Sequence, residues 1–297
     1  MEYVDINSIA GLHDFFHYEK PRHPLITVID LAKVDRSHRK PETSYRLDLY
    51  SIACKKIEGV FKYGRTDYDF GEGTLMFTAP NQVLTPGIEN KVEGWGIYIH
   101  PDFLNASKKG YELTNYSFFG YDANEGLHIS DEEDKVLLDC VRNIEKEIRN
   151  NIDKHSYNLI ITNLDLLLSY CSRFYDRQFL TRMKTGNDIV ERFDRLLNDH
   201  FAGKSFNGSG LPDVKFFASQ LNLSPNYLSD LLHKYTGKST QEHIHLKLID
   251  KAKHLLWSTE NQISEIAYEL GFEHPSHFTK LFKNKTGYSP KEYRLLN

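Results

Sequence analysis

The chain has 297 residues, 40% of them hydrophobic and 26% charged, with a formal net charge of -4. That length suits two domains with buried cores, and the composition excludes a collagenous, disulfide-framed or disordered chain. The charge excludes nucleic-acid binding by bulk positive charge, so any such function must rest on a local arrangement of residues.

The N-terminal stretch MEYVDINSIAGLHDFF has early acidic residues and neither a basic nor an apolar leader segment, so no signal peptide is expected. Residues 1 to about 20 read as a loose lead-in with one short amphipathic piece. From Pro21 the pattern turns to β. Leu25 to Leu31 is rich in β-branched residues, and Tyr45 to Ala53 alternates over its first half; Ile57 to Phe61, Gly73 to Phe77 and Gly94 to Ile99 are further short runs. Turn-rich segments at 68–73, 79–81 and 85–87 separate them. Strands at this spacing predict a small antiparallel barrel or double-sheet roll over 21–100. Its aromatics (Tyr45, Tyr50, Phe61, Tyr63, Phe77, Trp95, Tyr98) suit a plain core or the lining of a small-molecule pocket. Asp67, Asp69 and Glu72 read as a solvated loop.

Between 131 and 180 the period becomes helical. Val136, Leu137, Cys140, Val141, Ile144 and Ile148 share one face, and Ser130 with Glu133 forms a capping box. A second helix from about Ser156 to Phe179 turns Leu159, Ile160, Leu164, Leu167, Leu168 and Cys171 inward. Two readings stay open: the pair covers the sheet, or it forms a homodimer seam. Leu159 to Tyr170 is interrupted by Asn163 and Asp165 and is too short for a membrane span. Cys54, Cys140 and Cys171 are odd in number and widely spaced, which reads as reduced structural thiols in a cytoplasmic protein. No metal or cofactor pattern occurs. His23, His38 and His100 are scattered, and His243 and His245 stand two apart on a helix, where they point to different faces.

Lys184 to Asp188 reads as a linker, dividing a first domain, 1–183, from a second, 184–297. The second carries 15 Lys and Arg against 13 Asp and Glu, a net of +2, leaving 22 against 28, or -6, to the first. Ile189, Phe193, Leu196, Leu197 and His200 mark its opening helix, and 203–212 a loop. Then one pattern is written twice. Ala218, Leu221 and Leu223 recur 49 positions on as Ala267, Leu270 and Phe272. Leu228, Leu231, Leu232, Thr236, Gly237, Ser239 and Glu242 recur 50 positions on as Phe278, Leu281, Phe282, Thr286, Gly287, Ser289 and Glu292. In the first copy, Asn222 tolerates the left-handed conformation of a sharp turn, Ser224 and Pro225 start a helix, and Gly237 ends it. In the second, Gly271 takes the turn, Pro275 opens the helix and Gly287 closes it. Helix, tight turn, helix is the helix-turn-helix unit, here at about 212–237 and 263–287. Thr240 to Trp257 forms a connecting helix of roughly 27 Å, of the order of the roughly 34 Å between successive major grooves on one face of a duplex.

The stretches AxxLNLSPNYLSDLLxKxTG at 218–237 and ISEIAYELGFEHPSHFTKLFKNKTGYSPKEYR at 263–294 resemble the DNA-binding domain of the AraC/XylS family of bacterial transcription regulators. The resemblance runs from Ile189 onward. It implies an α+β chain, with a cupin-like effector-binding barrel and dimerisation helices before two helix-turn-helix units. It also implies a non-enzymatic activator that binds double-stranded DNA, answers to a small-molecule effector and contacts RNA polymerase. The second helix of each unit would then enter the major groove. Its outward residues are Asn226, Tyr227, Ser229, Asp230 and His233 in the first unit and Ser276, His277, Thr279, Lys280 and Lys283 in the second. Lys234, Lys238, Lys285 and Arg294 stand better for phosphates. Asp230 departs from the family, which often has Arg or Lys there; a carboxylate repels phosphate, accepts from a cytosine amino group or pairs with Lys234. Lys280 and Lys283 therefore give the second unit at least as much DNA affinity as the first. The alternatives are a protein-interaction module whose helix-turn-helix units have lost DNA binding and, more remotely, a cupin-type enzyme.

Overall fold

The structure, a computed structural model, describes residues 3–35, 44–56, 62–63, 66–67, 73–84, 92–105, 113–122, 125–150, 153–181, 183–202 and 211–296. The chain divides into two compact units, Met1–Thr181 and Arg182–Asn297. The expected strand at 57–61, the turns at 68–72 and 85–87, Asp69, Glu72, His38 and most of the 203–212 loop lie outside the described residues.

The lead-in is structured. Strand β1 (Tyr3–Ile6) is followed by helix α1 (Ile9–Phe15), whose N-cap Ser8 hydroxyl accepts from the Gly11 amide at 3.1 Å. Ile6, Ile9, Leu12 and Phe16 are buried, which holds the segment down. The β residues continue as β2 (Ile26–Asp30), β3 (Ser44–Leu47), β4 (Tyr50–Lys56), the two-residue strands β5 (Lys62–Tyr63) and β6 (Thr66–Asp67), β7 (Thr74–Thr78), β8 (Gln82–Leu84) and β9 (Glu93–Ile99). The apolar run from Tyr45 is thus two strands, not one. The chain turns at Asp48, whose amide donates to the Ile6 carbonyl at 2.9 Å, so β3 and β4 enter different sheets.

After α2 (Pro101–Asn105) and β10 (Leu127–His128), the strands pair as β1-β3-β8, as β10-β7-β4-β9-β2 and as β5-β6. This corrects the barrel expectation: among the described residues no ladder joins the three-stranded to the five-stranded sheet, so no ring closes. β1 also runs parallel to β3, a pairing that local alternation cannot signal. The sheets still share a core, with Ile6, Leu12 and Leu47 packed against Ile29 and Tyr98.

Helices α3 (Asp131–Arg149) and α4 (Ser156–Thr181) finish the first unit. The capping box forms: the Glu133 amide donates to the Ser130 hydroxyl at 3.3 Å and the Ser130 amide to the Glu133 carboxylate at 3.0 Å. Arg177 on α4 grips Glu133 with two N–H donors at 2.9 and 2.8 Å and the His128 carbonyl at 2.7 Å. Gln178, almost fully buried, accepts from the His128 amide at 2.8 Å and donates to the Gly126 carbonyl at 3.2 Å, so one side chain completes the edge beside β10. Asp134 at the start of α3 takes Lys56 of β4 at 2.6 Å. These bonds tie both helices to the sheet, as the covering reading expects. Leu159 is not inward; with Leu166 and Leu180 it is exposed on α4. Cys54, Cys140 and Cys171 are buried free thiols, and burial, with the Asp134 carboxylate second, pushes Cys54 up to about 12.

In the second unit, helix α5 (Met183–Ala202) runs through the expected linker. Gly186 is not a hinge: a Cβ there would lie 2.2 Å from the Tyr235 ring, so this glycine permits close helix packing. Next come α6 (Val214–Leu221), α7 (Pro225–Thr236), α8 (Thr240–Ser258), α9 (Ile263–Glu269), α10 (Pro275–Thr286) and α11 (Pro290–Arg294). One core runs through the unit, from Phe193 and Phe217 through Leu248 and Ala252 of α8 to Phe278 and Phe282. The connecting helix therefore carries the middle of the core and is a packed element on which both flanking pairs rest. No helix among the described residues is long and apolar enough to cross a membrane.

Candidate nucleic-acid interface

The two helix pairs are built by the same bonds. Asn222 is left-handed at φ 56°, and the Leu223 amide then donates back to the Ala218 carbonyl at 3.0 Å. Gly271 is left-handed at φ 87°, and the Phe272 amide donates to the Ala267 carbonyl at 3.0 Å. Ala218 and Ala267 are buried where the helices of each pair approach. This is the physical content of the 49-residue offset.

The offset becomes 50 because the second turn has an extra residue, and the two helices after the turn start differently. Ser224 caps α7, its hydroxyl accepting from the Tyr227 amide at 3.2 Å. His274 stands in that place before α10 and makes no side-chain cap bond. Both helices then end alike. The Thr236 hydroxyl donates to the Leu232 carbonyl at 2.7 Å and accepts from the Lys238 amide at 3.2 Å; Thr286 does the same with Phe282 at 2.8 Å and Tyr288 at 3.2 Å. Gly237 and Gly287 follow at φ 73° and 82° with open space around them, so conformation alone selects glycine there.

The recurring Ser and Glu also acquire a role that the repeat alone did not reveal. Ser239 with Glu242 and Ser289 with Glu292 are capping boxes that start α8 and α11. Backbone and side-chain hydrogen bonds from the serines hold both carboxyls below their usual range. The S-x-x-E spacing was the available signal. His243 is held inside the unit, its Nε2 2.7 Å from the Thr236 hydroxyl, and burial lowers its proton affinity. It makes no ligand pair with His245, and among the described residues no His, Cys, Asp and Glu cluster suits a metal.

On α7 the residues Asn226, Asp230 and His233, spaced i, i+4 and i+7, form one stripe; Asn226 and His233 are exposed and Asp230 and Ser229 half-buried. The equivalent stripe on α10 is Ser276, Lys280 and Lys283, all exposed, with His277 exposed and Thr279 half-buried, its hydroxyl donating to the Pro275 carbonyl at 3.1 Å. Lys234, Lys238 and Lys285 are exposed. Two expected positions are held by the protein itself. Tyr227 is only 7% exposed. Arg294 donates to the Leu256 carbonyl at 3.1 Å and the Asn261 carbonyl at 2.8 Å, so its guanidinium fastens α11 to the end of α8. The Tyr293 ring stacks on Trp257 beside it, centroids 4.9 Å apart.

A family model described as a helix-turn-helix domain matches residues 217–295. The chain is similar to the HTH-type transcriptional activator RhaS of Salmonella paratyphi B and of Salmonella newport, in each case 29% identical over 135 residues, 45% of this chain and 46% of the relative. The chain thus spans about half the length of the curated relatives it matches. Among solved structures, it is similar to the C-terminal domain of the two-component response regulator yesN from Fusobacterium nucleatum, with 30% identity over 36% of this chain and 98% of that one and a TM-score of 0.32. It is similar also to the C-terminal domain of AraT, a response regulator from Geobacillus stearothermophilus, with 32% identity over 37% of this chain and 85% of that one and a TM-score of 0.32. The helix-turn-helix pairs of the C-terminal unit are thus similar to those of AraC-type transcription regulators.

Proposed function

We propose that this protein is a sequence-specific regulator of transcription, not an enzyme, which binds double-stranded DNA through α7 and α10. The observation that carries this reading is the pair of matched stripes, Asn226, Asp230 and His233 on one helix and Ser276, Lys280 and Lys283 on the other, both packed on α8. With 19 residues, α8 is roughly 28 Å long, close to the roughly 34 Å between successive major grooves on one face of DNA. Polar and basic side chains at those positions suit base edges and phosphates. Lys234, Lys238 and Lys285 serve as phosphate contacts, and Lys280 and Lys283 give the second unit at least as much affinity as the first. Activation follows the relatives, which are named as transcriptional activators, and it would proceed through contact with RNA polymerase.

The first unit serves as the regulatory half: a cupin-like roll that takes a small-molecule effector, followed by helices that pair with a second copy. Its two sheets share one core rich in aromatic rings, and Leu159, Leu166 and Leu180 leave an apolar edge on α4 for a homodimer contact.

Selection of genomic fragments by the purified full chain, repeated across a salt series, tests the DNA reading. The expected result is recovery of a preferred sequence with affinity that falls steeply with salt. Failure to bind any duplex at low salt returns the chain to the interaction-module alternative.

A further inference from the structure

Resting on the DNA-binding reading, the equivalent positions of α7 and α10 carry a difference of charge sign. Asp230 follows Asn226 by four residues and precedes His233 by three, as Lys280 follows Ser276 and precedes Lys283. Several neighbours of the two residues match in burial, although Tyr227 is buried where His277 is exposed. Leu228 and Phe278 are buried on the opposite face, as are Leu232 and Phe282, and His233 and Lys283 are both exposed. The two residues hold equivalent positions along their helices and differ in charge, Asp230 being half-buried and Lys280 exposed.

An ionised carboxylate only accepts hydrogen bonds, and an ammonium only donates them. In the major groove, guanine presents two acceptors and cytosine an amino donor. A lysine at this position therefore favours guanine and also gains from any nearby phosphate, whereas an aspartate gains only from an amino group and is repelled by every phosphate and every acceptor edge. A group that rejects most alternatives discriminates by repulsion as well as by attraction. Its half-burial leaves Asp230 less water to offset a wrong base.

We propose that Asp230 is a specificity-determining residue, selecting cytosine at one position of the half-site beneath α7.

The test is selection from a randomised duplex library by the full chain, as wild type, Asp230→Ala and Asp230→Asn, with thermal midpoints taken alongside. The wild type should enrich cytosine at one position of one half-site, by about tenfold over the other bases. Asp230→Ala should level that position alone, and Asp230→Asn should move it towards adenine, which an amide pairs with. The other half-site should be unchanged in both variants. Identical preferences in all three proteins would overturn the assignment, as would a uniform loss across both half-sites with a lowered midpoint, which would make Asp230 a structural residue. A wild type that enriches no sequence would overturn the DNA-binding reading itself, a result distinct from either of these.

Discussion

The two helix-turn-helix units share a plan and differ in where each is strong. The first is the better built at its start: Ser224 supplies a side-chain cap that His274 does not, and Tyr227 is drawn inside where its counterpart His277 stays exposed. The second is the better charged, with Lys280 and Lys283 where the first has Asp230 and His233. A duplicated unit thus keeps the bonds that make the turn and the helix end, because backbone geometry demands them, while its outward residues diverge, because no packing holds them. That division separates architecture from recognition residue by residue.

The largest effects should come from the core that both units share. Phe217 and Phe278 are fully buried, and replacing either by alanine should cost about 3–5 kcal/mol. Because the core is continuous through α8, each change should lower a single unfolding transition of the second unit, read by denaturant titration. Two separate transitions would show that the units are independent.

Next come the reading helices. Lys280→Ala should weaken binding of a selected site by about 1–3 kcal/mol and reduce the slope of log affinity against log salt by about 1 if the ammonium also neutralises a phosphate. Asn226→Ala should weaken binding without changing that slope. If Asn226→Ala abolished binding and Lys280→Ala left it intact, the second unit would not give as much affinity as the first.

The difference in capping gives a smaller contrast. Ser224→Ala should destabilise the second unit by about 1 kcal/mol, since it leaves the Tyr227 amide without its acceptor. His274→Ala removes no cap bond and should stay within about 0.5 kcal/mol. Equal losses would mean that the His274 ring contact with His277 matters as much as a cap.

The smallest effect is one of pH. Glu242 and Glu292 have their carboxyls lowered by hydrogen bonds from Ser239 and Ser289. A lowered folded-state value means that the unfolded chain binds the proton more readily. The capping boxes therefore stabilise the protein fully above the unfolded carboxylate value and lose that contribution as pH falls through the folded one. Thermal midpoints measured from neutral to acid pH should fall less steeply in Glu242→Gln and Glu292→Gln than in the wild type, with the two changes alike because the boxes are alike.

Much of the second unit was legible in the sequence, because its devices are local. A left-handed residue after Leu221, a Ser-Pro helix start and a Thr-Gly helix end each act within a few residues of themselves, so spacing reveals them. The stretch 184–188, which reads as a linker, is helical for the converse reason: whether Gly186 breaks a helix or admits a neighbour depends on Tyr235, 49 positions away. Tyr227, which is buried, and Arg294, which donates to two carbonyls, show that an outward position on a helical wheel says nothing of what another part of the chain brings near it.

The first unit shows the limit more sharply. Alternation located most strands but not their partners, since the parallel pairing of β1 with β3 and the transfer of the chain between sheets at Asp48 are long-range hydrogen bonds with no local mark. By itself the sequence determined the duplication and the helix pairs of the second unit, which follow from periodicity and backbone conformational preference. Only the tertiary structure decided which strands pair, that the apparent linker is helix, and that α8 is the core on which both units rest, because those outcomes depend on burial and hydrogen bonding between residues far apart in the chain.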